Sequence, residues 1–195
     1  MISKFEPILN LHNEWLKNEA FLNQAKKAAV SLIINSIQAE NPTLILIKRN
    51  EYDGHHSGQM AFPGGKMDLE DSDLLETAKR ESLEEIGVEL LDETSYPLNP
   101  IWVKVSNFAI YPYLFFVNKN LTFDLNKREI NRIFEIPVST FRDTKFLKAH
   151  QLNILGKEYW SPYFEIENEI IWGATALIIY QNIFLKDPFT EIKYE

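Results

Sequence analysis

The stretch RESLEEIGV places Arg80, Glu81, Glu84 and Glu85 within six residues, and HHSGQMAFPGG ends at Gly65, fifteen residues before that arginine. On a helix, residues three and four apart are neighbours, so Glu81, Glu84 and Glu85 bring their carboxylates together. Like charges so close repel, at about 0.2–0.5 kcal/mol per pair. A hard divalent cation reverses that penalty, because Mg²⁺ is typically held by a few carboxylates, waters and substrate phosphates. A solvated acidic helix face would carry the same glutamates. What sets this segment apart is the Gly64–Gly65 pair after Pro63, which lets a phosphate or a metal approach the backbone closely. Loop and helix together read as one site that could hold a divalent metal beside a phosphate.

The elements that must position these residues can be read around them. The helix runs from Asp73 to Ile86, with Asp71 or Ser72 as its cap and Gly87 as its stop. At 100° per residue, Leu74, Leu75, Ala78, Ser82 and Ile86 form the stripe that packs on a sheet, with Glu81 and Glu85 at its edge. Arg80 lies one turn from both Glu76 and Glu84 and can bridge to either. AAVSLIINSI (28–37) and TLILIKR (43–49) are short, apolar and rich in Ile, with a QAENP turn between them, and read as adjacent strands. NEYDGHHSGQ is a loop, and QMAFP a short strand.

Helical spacing of Ile8, Leu11 and Trp15 predicts one or two helices before residue 28. Strands follow at 101–107 and 112–118. KREINRIFEIPVSTF reads as a strand and a short helical turn, FLKAHQL and EYWSPYFEI as a hairpin, and 175–185 as a closing helix. Tyr111, Tyr113 and Phe115 alternate as core residues of their strand. This order predicts an α/β (α+β) fold with a mixed sheet flanked by helices. Residues 1–27 form an N-terminal helical extension and 28–195 the domain proper, within a single domain overall.

The whole chain narrows the function. Its 195 residues, 45% apolar and 25% charged, are those of an ordinary globular domain. The net charge of −8 disfavours nucleic-acid partners and accords with an acidic metal site. Without cysteine there is no disulfide, thiolate site or cysteine nucleophile. No signal peptide is evident, and IIWGATALIIY is too short to span a bilayer, so a cytoplasmic protein that does not engage a membrane is expected. Should the N-terminal segment pack on a second copy, the protein is a homodimer.

Arg80–Val88 and the preceding glycines resemble the signature of the Nudix hydrolases: Gly, five residues, Glu, seven residues, then Arg-Glu-apolar-x-Glu-Glu-x-Gly-apolar. Counted from Gly65, Asp71 stands in the place of the first Glu, the spacing from there to Arg80 is one residue longer, and Ser82 replaces an apolar residue. The longer box, Arg49 after the second strand, the HSGQMAFPGG block and the later IWGATALII resemble the coenzyme A pyrophosphatase branch. Together these cover about residues 28–180. The resemblance implies the Nudix α/β/α sandwich and Mg²⁺ or Mn²⁺ as cofactor. It implies Glu81 and Glu85 as principal metal ligands, with Glu84 as third ligand or water-orienting base. Arg80 would pin the carboxylates and the Gly65 carbonyl complete the metal shell. Gly64, Arg49, His55, His56, Ser57 and Gln59 would face the substrate, and Asp71 would support the loop.

The implied chemistry is hydrolysis of a P–O–P bond in a small-molecule diphosphate by a metal-activated water. Coenzyme A or an acyl-coenzyme A would give 4′-phosphopantetheine and adenosine 3′,5′-bisphosphate. The same helix suits ADP-ribose, a nucleoside diphosphate sugar or a dinucleotide, because it reads only the diphosphate. A catalytically silent binding module of the same fold should have lost carboxylates from the helix, and this one keeps three. Glu129 is a candidate extra ligand, although a solvated glutamate would look the same.

Overall fold

The computed structural model describes residues 2–38, 40–51, 57–104, 106–186 and 189, the side chains of Ile2 and Phe21 excepted. The backbone gathers into two compact units, Ala25–Val138 and Met1–Gln24 with Ser139–Glu195. The N-terminal segment thus shares its unit with the C-terminal part of the chain.

The strands of the first unit are β1 (Lys26–Asn35), β2 (Thr43–Arg49), β3 (Met60–Ala61), β4 (Gly64–Lys66), β5 (Ser95–Pro97), β6 (Ile101–Val103), β7 (Phe108–Val117) and β8 (Ile130–Pro137). They form one mixed sheet with a main path β3-β2-β1-β7-β5, in which β4 joins β1, β6 joins β7 and β8 joins β2. β1 and β7 are parallel from Lys26–Phe108 to Asn35–Val117, and the other pairings are antiparallel. The strand expected at 101–107 ends at Val103, and the one expected at 112–118 starts at Phe108 and stops at Val117.

β1 and β2 pair only at Ile34–Leu44 and Asn35–Thr43. Beyond that point they separate, and the FPGG segment fills the opening. On one side β3 pairs with β2 at Ile47–Ala61 and Lys48–Met60. On the other, Ser31 N–H donates to the Pro63 carbonyl and β4 pairs with β1 from Val30–Gly64 to Ala28–Lys66. The glycine pair therefore opens a short strand. Gly64 has φ +151°, and a Cβ there would fall on the Ala29 carbonyl and within 2.7 Å of Val30 Cα. Only glycine lets β4 lie so close to β1.

The helix α3 (Leu74–Ile86) packs on this sheet. Its cap is Asp73, whose side chain accepts the Glu76 N–H at 2.8 Å, rather than Asp71 or Ser72. Gly87, at φ +71°, closes it, with Gly87 N–H donating to Leu83 O and Val88 N–H to Ser82 O. A following loop satisfies two more terminal carbonyls, Asp124 N–H donating to Ile86 O and Asn126 N–H to Glu85 O. Ala78 and Ile86 join Ala29, Ile33, Ile45, Ile47 and Phe115 in the core, while Leu74, Leu75 and Tyr113 pack at its margin. Tyr111 is half-buried. Ser31 donates to the Ala78 carbonyl at 2.9 Å, fixing the middle of the helix to β1. Ser82 donates to Val88 O, beyond the helix, at 3.1 Å.

The second unit holds α1 (Glu6–Leu16), α2 (Glu19–Gln24), β9 (Leu147–Ile154), β10 (Lys157–Ile166), β11 (Glu169–Ile171) and α5 (Gly173–Ile179). A short helix, α4 (Val138–Arg142), begins at the junction of the units. β9 and β10 form the expected hairpin, with β11 added on the far side of β10. The closing helix starts at Gly173, and its last turn, Tyr180–Phe184, widens into a π-helix. Among the described residues no helix is long and apolar enough to cross a membrane.

Candidate active site

Arg80, Glu81 and Glu85 of α3 reach Lys66, Gly65 and Gly64 of β4, and Glu84 joins them through Arg80. Glu85 is buried at 2% exposure, and its two oxygens have different partners. Oε2 accepts the Gly64 N–H at 2.9 Å, and Oε1 lies 3.0 Å from Arg49 Nη2. Burial pushes the Glu85 carboxyl up to about 7, although Arg49 and the Gly64 N–H pull it down. The charges of Glu81 and Glu129 add to the rise.

Glu81 projects one turn earlier and lies against β4. A Cβ on Gly65 would clash with its carboxylate. Burial raises the Glu81 pKa, with Arg80 opposing. Glu84 is the outermost of the three, its side chain 60% exposed.

Arg80 organises the helix side. Its Nε and Nη2 donate to Asp71 Oδ1 and Oδ2 at 2.8 and 3.0 Å, a two-pronged carboxylate pair. Nη1 donates to Glu81 at 3.0 Å and to Glu84 at 3.4 Å, and Nη2 also reaches the Lys66 carbonyl at 3.2 Å. Of the two glutamates within one turn, Arg80 meets Glu84, and Glu76 pairs with Lys79. Asp71 further accepts the Asp68 N–H and the Thr77 hydroxyl. The hydrogen bonds from Arg80 lead in holding its carboxyl far below the usual carboxylate range. Asp71 thus ties the loop to the helix, a part that its place in the sequence suggested but its partners alone make clear.

Of the other expected residues, Arg49 ends β2 and turns to Glu85 and to the Gly64 carbonyl, 3.0 Å away. Gln59 accepts the Arg49 N–H at its carbonyl, which brings Ser57 and Gln59 to the same end of β2. His55 and His56 lie outside the described residues. Glu129 accepts from Asn126 at 3.1 Å and stands near enough to Glu85 to influence its charge. The Arg49–Glu85 pair was not foreseen, and the only sequence signal for it is an arginine ending an apolar strand.

Among the described residues no three Asp, Glu, His or Cys side chains are gathered into a ready metal cage. The donor set nevertheless fits a hard cation: carboxylate oxygens beside a glycine backbone, with the Gly65 Cα against the Glu81 carboxylate where any side chain would intrude. Gly65 has no left-handed constraint, and its clash is with the end of a flexible side chain. Gly65→Ala should therefore keep the fold within about 1 kcal/mol yet displace Glu81 and lower activity by about 10²-fold. Gly64→Ala meets backbone on β1 and should cost about 3 kcal/mol. Thermal melts beside rate measurements separate the two, and equal loss of stability would contradict this assignment.

Residues 25–163 match the NUDIX domain. The chain is 36% identical over 157 residues, 76% of each protein, to the "uncharacterized Nudix hydrolase NudL" of Yersinia enterocolitica. It is 33% identical over 186 residues to the protein of that name from Yersinia pestis, covering 91% of this chain and 89% of the relative. The crystal structure of a NUDIX hydrolase from Alicyclobacillus acidocaldarius superposes with a TM-score of 0.58 at 14% identity, over 84% of this chain and 92% of that one. The chain belongs to the Nudix hydrolase family and has its α/β fold of a mixed sheet and helices. Members of this family are typically pyrophosphohydrolases that use divalent metals, and the domain implies a small-molecule diphosphate substrate.

Proposed function

We propose that this protein hydrolyses the diphosphate bridge of coenzyme A or an acyl-coenzyme A, releasing 4′-phosphopantetheine and adenosine 3′,5′-bisphosphate. The observation that carries the reading is the junction of β4 with α3: Gly65 lies directly against Glu81, and Gly64 holds Glu85 through its N–H. Glu81, Glu85 and the Gly65 carbonyl would hold Mg²⁺ or Mn²⁺, with Glu84 as a third carboxylate. Bound there, the ion would neutralise phosphate oxygens and lower the pKa of a water. Arg80 keeps Glu81 and Glu84 from swinging away, and Asp71 keeps Arg80 in place. Should Glu84 stay off the ion, its exposed carboxylate, 3.4 Å from Arg80, would serve instead as the base that orients the attacking water and takes its proton. The new bond joins the water oxygen to phosphorus as the bridging P–O bond breaks. Ser57, Gln59, Gly64 and His56 would face the substrate.

The choice of coenzyme A rests on the HSGQMAFPGG block, whose later residues form β3 and the start of β4. The purified protein should be incubated with coenzyme A and with ADP-ribose, each with Mg²⁺ or Mn²⁺, and the products separated by chromatography. Faster metal-dependent release of adenosine 3′,5′-bisphosphate is expected. Cleavage of ADP-ribose alone would keep the diphosphate chemistry and overturn the substrate.

A further inference from the structure

Arg49 spends a single nitrogen on two oxygens. Its Nη2 donates to the Gly64 carbonyl at 3.0 Å and lies 3.0 Å from Glu85 Oε1. The other Glu85 oxygen accepts the Gly64 N–H. Arginine, strand and glutamate therefore close a ring in which both ends of one peptide unit's neighbourhood, Gly64 N–H and Gly64 C=O, are linked to Glu85, one directly and one through Arg49. Among the described residues neither Glu81 nor Glu84 has such a double tie, since the hydrogen bonds of both come from Arg80. The last torsion of a glutamate is soft, so a carboxylate held at one oxygen can still turn. A second tie on the other oxygen selects one plane.

We infer that Arg49 is a positioning residue for Glu85, fixing the plane of its carboxylate relative to β4, and that this is its main contribution to the reaction. What the fixed carboxylate then does rests on the diphosphate-hydrolase reading above. A positioning role needs one cationic N–H donor between two oxygens, and lysine can supply that. A two-pronged grip on a phosphate needs the guanidinium fork, and lysine cannot replace it.

Arg49→Met and Arg49→Lys should be compared with wild type for kcat and KM at saturating Mn²⁺, and for Mn²⁺ binding without substrate, read by electron paramagnetic resonance of the free ion. Arg49→Met should lower kcat by about 10²-fold with KM nearly unchanged, and weaken Mn²⁺ binding about tenfold. Arg49→Lys should recover most of both. The sign of the binding change is informative, because removing a positive charge without loosening Glu85 would tighten cation binding. Tighter or unchanged Mn²⁺ binding in Arg49→Met would overturn the inference while leaving an active wild type untouched. So would a raised KM with normal kcat in both variants. Should Arg49→Met fail to fold, Arg49→Lys decides: recovered kcat supports positioning, and a large KM increase refutes it. A wild type that neither binds Mn²⁺ nor cleaves any diphosphate overturns the functional reading and this inference with it.

Discussion

Glu85→Gln is expected to give a folded protein whose diphosphate hydrolysis is slower by about 10²–10⁴-fold, the range that single electrostatic and acid–base groups contribute. Glutamine keeps an acceptor for the Gly64 N–H but removes the charge that would hold the metal. The loss should fall on kcat and on metal affinity and should not be restored by raising substrate. The same pair reports on the buried carboxyl in EDTA. Inside the fold Glu85 ionises near 7, against an ordinary value of 4.5, so the folded state binds its proton more tightly than the unfolded chain does. This contribution to stability is fully present below the ordinary value and is lost as pH rises through about 7. Relative to Glu85→Gln, metal-free wild type should lose about 3 kcal/mol across that window. Urea denaturation at a series of pH values tests this, and parallel profiles for the two proteins would contradict it.

Arg80→Met should destabilise the protein by about 3 kcal/mol, because it leaves a buried carboxylate without its cation. Asp71 is 3% exposed at its side chain, whereas Arg80 is 22% exposed and has Glu81, Glu84 and the Lys66 carbonyl as further partners. Asp71→Asn should therefore cost less, about 1–2 kcal/mol. The double variant should be more stable than the sum of the two losses implies, since each single change destroys the same contact. Activity should fall in all three variants, through Glu81 losing its anchor. Equal losses in the single variants with strict additivity would mean that the pair does not link the loop to the helix.

The parts of this site that were legible in the sequence are those written in local periodicity. The spacing of Glu81, Glu84 and Glu85, the stop at Gly87 and the apolar runs that became β1 and β2 needed only 3.6-residue and strand patterns. That Gly64–Lys66 is itself a strand leaves no trace in the sequence, because glycine has no strand preference of its own; its pairing comes from β1 and β2 separating, a property of the sheet. Asp71 was a candidate for the cap as well as for supporting the loop, because an acidic residue before a helix often caps. Asp73 took that place, and Asp71 turned inward to Arg80 and Thr77. The Arg49–Glu85 contact joins residues 36 positions apart, and only the β4 crossing brings them together. The third strand of the small sheet, β11, is too short to carry a pattern, and the π-turn at Tyr180–Phe184 leaves no periodic trace.

The central claim is that β4 and α3 form one metal cradle, and it can be seen directly. Crystals of the protein grown with Mn²⁺ should be measured at a wavelength where manganese scatters anomalously. The account predicts a peak bounded by the Glu81 and Glu85 carboxylates and the Gly65 carbonyl, absent from Glu85→Gln crystals treated alike. An active protein whose manganese peak lies elsewhere, or persists unchanged in that variant, would contradict it.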